Sequence, residues 1–134
     1  MTKQDVLNTW LTYAQADLDA AERLLKSPNP NNWTFLLSAW HCHQAIEKIL
    51  KMVIIGQGKE NLKVHDLLRL VELSGLNFAD QQLGFIKELN QYYSQQRYPD
   101  IAYPSLPRLA QKHAHNLFEL TQELFLWLKQ QSQN

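Results

Sequence analysis

Two stretches of this chain, residues 3–26 and 32–55, place apolar side chains three and four positions apart for turn after turn, with neither proline nor glycine inside. A period near 3.6 sustained over that length specifies an amphipathic helix. The first stretch carries Leu7, Trp10, Leu11, Ala14, Leu18, Ala21, Leu24 and Leu25, and it stops at Ser27-Pro28-Asn29-Pro30, where proline lacks the donor a helix needs. The second sets Trp33, Leu36, Leu37, Trp40, Leu50, Val53 and Ile54 on one broad face and ends before Gly56-Gln57-Gly58. Being the more apolar of the two, it is predicted to lie at the centre.

Weaker signals continue the pattern. His65 to Leu73 reads as a short helix, with Asp66 as N-cap and Gly75 as stop. A fourth helix is predicted from about Ala79 to Gln96, with Leu83, Ile86, Leu89 and Tyr93 inward and Pro99 closing it. A fifth is predicted to follow Pro104, with Ser105 as N-cap, Pro107 in its first turn and a stripe of Leu106, Leu109, Ala110, Leu117, Leu120, Leu124 and Leu128. Residues 129–134 read as a polar tail that frays. No stretch alternates as a strand does, so the fold class is all-α. Long helices joined by short loops predict an antiparallel bundle of four main helices with one additional short helix, a single domain over residues 1–134.

Charge and cysteine content narrow the function. Thirteen basic and thirteen acidic residues cancel, which removes any global attraction to polyanions, so nucleic-acid binding has to rest on a local site. The single cysteine, Cys42, cannot close an internal disulfide and has no obvious activating context. No apolar run reaches the length of a membrane span or signal segment, which predicts a cytoplasmic protein with no membrane partner.

Metal and cofactor chemistry finds little support. No glutamate is followed three residues later by a histidine, the pairing that di-iron bundles use. The pairs His41/His43 and His113/His115 point about 200° apart on a helix and diverge; only His43 and Glu47 sit one turn apart. Glycine-rich phosphate loops are missing, so no cofactor and no metal are expected.

What stands out is polarity on apolar stripes. Asp17 shares a stripe with Trp10, Ala14, Ala21 and Leu24, and Gln44 and Glu47 continue the one that holds Trp33, Leu37 and Trp40. The series Leu83, Ile86, Asn90, Tyr93 runs on to Arg97, and His113 falls within the fifth stripe as a core or interface histidine. Buried carboxylates are costly unless paired, and a guanidinium fork is a natural counter-charge. Asp17, Glu47 and Arg97 are therefore either a structural network holding three helices together or the lining of a polar cleft in which Arg97 meets a phosphate.

Several segments together carry a family resemblance: Ala16-Asp17-Leu18-Asp19-Ala20-Ala21, Gln44-Ala45-Ile46-Glu47-Lys48-Ile49-Leu50-Lys51, Val64-His65-Asp66-Leu67 and Arg97-Tyr98-Pro99-Asp100. In this order, over nearly the whole chain, they resemble a HEPN domain. The resemblance implies an up-and-down four-helix bundle, a homodimer, a polar cleft near the dimer interface, and nucleotide or RNA as ligand, with no DNA specificity. It also implies two contexts: metal-independent ribonucleases of toxin–antitoxin systems, and small proteins paired with a minimal nucleotidyltransferase.

The ribonuclease branch places a histidine after four to six intervening residues from the arginine, where this chain has Ala102, Tyr103 and Pro104. Tyr103 is a poor base near neutral pH because a phenol ionises near pH 10, which leaves His43 or His113 as substitutes if the fold brings one to Arg97. The site residues implied are Arg97 as phosphate contact and catalytic candidate, Glu47 and Asp17 as its orienters, Asp100 as a cap or orienter, and Tyr98 as a stacking or packing ring. Lys48 and Lys51 form either a positive rim or a solvated helical face, and His43 completes the set.

Overall fold

The computed structural model describes residues 1–60, 63–93 and 108–132. Five helices make up the described chain, with no strand among the described residues: α1 (Lys3–Leu25), α2 (Asn32–Gly56), α3 (Leu67–Ser74), α4 (Asp80–Asn90) and α5 (Gln111–Gln131). Local chemistry sets their ends. Thr2 accepts from Asp5 N while Asp5 accepts from Thr2 N, a capping box that satisfies two orphan donors of α1. Asn31 caps α2 through Thr34 N, and Asp66 caps α3 through Leu68 N at 3.0 Å. Gly75 stops α3 at φ 65°, a left-handed conformation glycine adopts without a Cβ penalty.

Bonds between helix ends fix the directions. Lys3 Nζ donates to Gly56 O and Ser38 Oγ to Ala21 O, so the start of α1 meets the end of α2, and the reverse. Asn32 Oδ1 accepts from Leu109 N, which sets the start of α5 beside the start of α2. The ion pair of His113 with Glu88 joins the start of α5 to the end of α4. Direction therefore alternates through α1, α2, α4 and α5: an up-and-down four-helix bundle, with α3 as the additional short helix.

Helix α2 packs against all four others, as its apolarity predicts. Its core face is Leu36, Ala39, Ala45, Ile46, Ile49, Leu50 and Val53. Ala14 and Ala21 let α1 approach closely, while Ile86 and Leu89, Leu67 and Leu70, and Leu117, Phe125 and Leu128 close the other sides. Each such aliphatic side chain is worth about 1.5–3 kcal/mol relative to exposure.

The structure corrects the predicted α2 face. Trp33 and Leu37 are 53% and 40% exposed, because the helix turns the 36/39/46/50 stripe inward and leaves 33/37 at the edge. Helix α4 runs from Asp80 to Asn90, residues 92 and 93 are helical again after a turn at Gln91, and the rest of the predicted stretch to Gln96, with Pro99, lies outside the described residues. The Asn90 side chain accepts from Leu67 N and donates to Asp66. Helix α5 begins at Gln111, with Ala110 at the cap position, and Leu109 packs in the core ahead of it. Pro104, Ser105, Leu106 and Pro107 lie outside the described residues. At the other end α5 runs through Gln131, with fully buried Leu128 anchoring the last turn, so residues 129–131 of the predicted frayed tail are helical, while 133–134 lie outside the described residues.

Candidate functional site

Positions 40, 44, 47 and 51 alternate spacings of four and three along α2, and so share one face at the edge of the core. Trp40 and Gln44 on this seam are half-buried, whereas Glu47 and Lys51 are buried, 3% and 7% exposed. His41 and Lys48 flank the seam on the α1 side, and His43 on the α4 side.

Two polar networks occupy it. On the α1 side, buried Asp17 accepts from His41 Nδ1 at 2.9 Å and forms an ion pair with Lys48. Burial by itself raises the Asp17 carboxyl, but the bonds and charges of His41 and Lys48 outweigh it and hold the group below the usual carboxylate range.

On the other side Glu47 is a hub. Lys51 Nζ donates to Oε2 at 3.2 Å, and His65 Nδ1, from the segment before α3, lies 3.2 Å from both carboxylate oxygens. The Tyr93 ring stacks on His65 with centroids 4.9 Å apart and planes 14° from parallel, and it also meets His43 at 5.2 Å. His43 is fully buried; its Nδ1 donates to Gln44 Oε1 at 3.1 Å and its Nε2 has no partner among the described residues. Burial pushes its pKa down, opposed by the Glu47 charge and by the hydrogen bond of Gln44, and assisted by His65. The ring is therefore neutral near pH 7.

This arrangement departs from the sequence expectations in three ways. Lys48 and Lys51 are neither a positive rim nor a solvated face: each is paired with a carboxylate of this chain. Among the described residues Asp17 and Glu47, expected to share one arginine, belong to separate networks with separate cations. His113 is exposed rather than part of the core, and its Nε2 is engaged by Glu88 at 2.7 Å. Arg97, Tyr98, Asp100 and Tyr103 lie outside the described residues.

Other expectations meet direct geometry. His41 and His43 do diverge, one to Asp17 and the other to Gln44. His43 Nδ1 is 4.0 Å from Glu47 and turned toward Gln44, so their one-turn spacing is not used for joint ligation. Among the described residues no group of three or more His, Cys, Asp or Glu side chains could hold a metal ion. Cys42 is buried, and burial pushes its thiol up to about 12, far from a reactive thiolate. No helix of the described residues is long and apolar enough to cross a membrane.

Sequence reasoning missed His65 and His41 as members of these networks. His65 could have been found from the quoted Val64-His65-Asp66-Leu67 segment, where it directly precedes the helix cap. His41 sits one turn before Ala45 and seven positions before Lys48, on the flank that faces α1, but nothing local announces a partner 24 positions away.

An up-and-down helical bundle whose central helix carries buried, paired charges at its edge defines an all-α class with a polar seam. The HEPN domain family model matches residues 7–131, and this chain belongs to the HEPN family, whose members are generally linked to RNA-binding and nuclease roles. Two solved structures are similar in fold. TT1696 from Thermus thermophilus superposes with a TM-score of 0.78 at 22% identity, covering 93% of this chain and 97% of that one. ST0689, described as an archaeal HEPN homologue, superposes with a TM-score of 0.72 at 23% identity, covering 94% and 97%. No curated protein matches the chain.

Proposed function

We propose that this protein binds nucleotide or RNA at the α2 seam, with Arg97 taking the phosphate, Tyr98 and Asp100 flanking it, and the Asp17, His43, Glu47, Lys48 and Lys51 networks as the rigid backing. The observation that carries this reading is the placement of Tyr93. Its ring lies on His65 over Glu47, and the Arg-Tyr-Pro-Asp segment begins four positions later in the chain. Membership of the HEPN family supports the ligand class. The protein acts as a homodimer with a nucleotidyltransferase-type partner, in the manner of a toxin–antitoxin pair. Exposed Trp33 and Leu37, one turn apart at the edge of α2, support the homodimer, since apolar side chains grouped at a helix edge favour association.

The test is fluorescence anisotropy of labelled single-stranded RNA and of nucleoside triphosphates, for wild type and Arg97→Ala, with melting curves on the same samples. Wild type is expected to bind with affinity that falls as salt rises, and Arg97→Ala to bind at least tenfold more weakly at an unchanged melting temperature. The stability expectation follows from Asp17 and Glu47, which already have cationic partners. Equal affinity in both proteins, no binding by either, or unfolding of the variant would each overturn the reading.

Metal-independent RNA cleavage is a second reading, favoured by two imidazoles, His43 and His65, gathered around one buried carboxylate. Wild type should then cleave RNA in EDTA.

A further inference from the structure

We propose that His65 is the proton-transfer residue of this site and that Glu47 is its positioning residue. The inference rests on the reading that the protein acts on RNA. Removing a proton from a ribose 2′-hydroxyl takes a base that is oriented, open to solvent and free at one nitrogen. His65 meets all three conditions. Its Nδ1 donates to Glu47, whose carboxylate is buried and held from the other side by Lys51, so the hydrogen bond orients the imidazole and leaves the lone pair on Nε2. Stacking on Tyr93 fixes the ring plane. The side chain is 49% exposed, and Nε2 makes no hydrogen bond among the described residues.

The other imidazoles are less suited. His43 has a free Nε2, but it is enclosed and no substrate reaches it. His113 is exposed and oriented by Glu88, but it has no contact with Glu47 or the α2 seam among the described residues, and exposed His115 has no hydrogen bond among them to orient it. His41 is held by Asp17 in the same manner as His65 by Glu47, but its side chain is only 27% exposed and its ring lies edge-on to Trp40. The charged and titratable groups around His65 are Glu47, Lys51 and His43 of α2, its neighbour Asp66, and Tyr93 after α4.

In the step assigned to it, Nε2 accepts the 2′-hydroxyl proton as the 2′-oxygen bonds to the adjacent phosphorus and the bond to the 5′-oxygen breaks. The leaving 5′-oxygen takes a proton from water, and the imidazolium returns its proton to solvent. The products are a 2′,3′-cyclic phosphate and a 5′-hydroxyl end, so atoms and charge balance with no oxidant or other co-reactant.

The experiment uses the full chain and a mixed-sequence oligoribonucleotide in EDTA, with the all-2′-O-methyl oligomer as an uncleavable binding probe. Wild type should yield cyclic-phosphate ends. His65→Ala should lose about 10²- to 10⁴-fold in rate, with the 2′-O-methyl probe bound as before, its circular dichroism intact and cleavage partly restored by added imidazole. For Glu47, ¹⁵N spectra of histidine-labelled protein should show neutral His65 protonated at Nδ1 in wild type and a mixture of tautomers in Glu47→Gln, because an amide can either accept from Nδ1 or donate to it. Undiminished cleavage by His65→Ala overturns the assignment. Binding of the probe without any wild-type cleavage overturns it while leaving RNA binding intact, and absence of both overturns the RNA reading as well.

Discussion

Replacing His43 by leucine should remove a specific sensitivity to mild acid. The ring is fully buried with one nitrogen unpartnered, and burial lowers its pKa below the ordinary histidine value. A group whose folded pKa is depressed binds fewer protons in the native than in the unfolded state. Its stability contribution is therefore complete above the unfolded pKa of about 6.5 and is lost as pH falls from there toward the folded value. One proton gives a slope of at most about 1.4 kcal/mol per pH unit. For a domain of this size that is roughly 3–6 °C in melting temperature per unit. Leucine fills a similar volume, has no nitrogen to leave unpaired and does not titrate, while Gln44 is only half-buried and can turn to solvent. Wild type and His43→Leu would be melted by circular dichroism from pH 7.5 to 5.0. The difference between their stabilities should change by about 1 kcal/mol or more across the window, with the variant the flatter. If the two proteins lose stability in parallel between pH 6.5 and 5.5, the ring does not stay neutral in the fold and the reasoning is wrong.

Two further perturbations test the seam and its edge. Lys51→Met removes the buried cation of Glu47 and should cost about 3 kcal/mol in urea unfolding, well above the ~1 kcal/mol ceiling for an exposed pair such as Arg69–Glu72; a loss under about 1 kcal/mol would show that His65 alone suffices for Glu47. Leu37→Glu places a charge beside Trp33 on the exposed edge of α2, and light scattering should report a dimer mass for wild type at micromolar concentration and a monomer mass for the variant. A wild-type monomer, or a variant that stays dimeric, refutes the association proposed for that edge.

The legible parts of the sequence were those with local causes. Helices α1 and α2 were readable because their period is long and uninterrupted, and the ends at Asp66 and Gly75 because cap and stop chemistry act within a few residues. The tie of Asn90 to Leu67 and Asp66 was not readable, since these partners lie 23 and 24 positions away. The face of α2 was misread for a related reason. Trp33 and Leu37 are as hydrophobic as the residues that pack, and only the placement of α1, α3, α4 and α5 decides which apolar stripe is covered.

The candidate site divides in the same way. Sequence marked Asp17, Glu47 and Arg97 because charges on apolar stripes break a periodic pattern, but it could not assign partners. Pairing Asp17 with His41 and Lys48, and Glu47 with Lys51 and His65, needs three-dimensional distances across elements. By itself the sequence determined an all-α class, the extents of α1 and α2 and the presence of misplaced charge, because each is written in neighbours a few residues apart. The tertiary structure alone decided which stripe became core, which lysine answers which carboxylate and which histidine keeps an open nitrogen. Those outcomes depend on how whole helices meet, and no short-range rule carries that information.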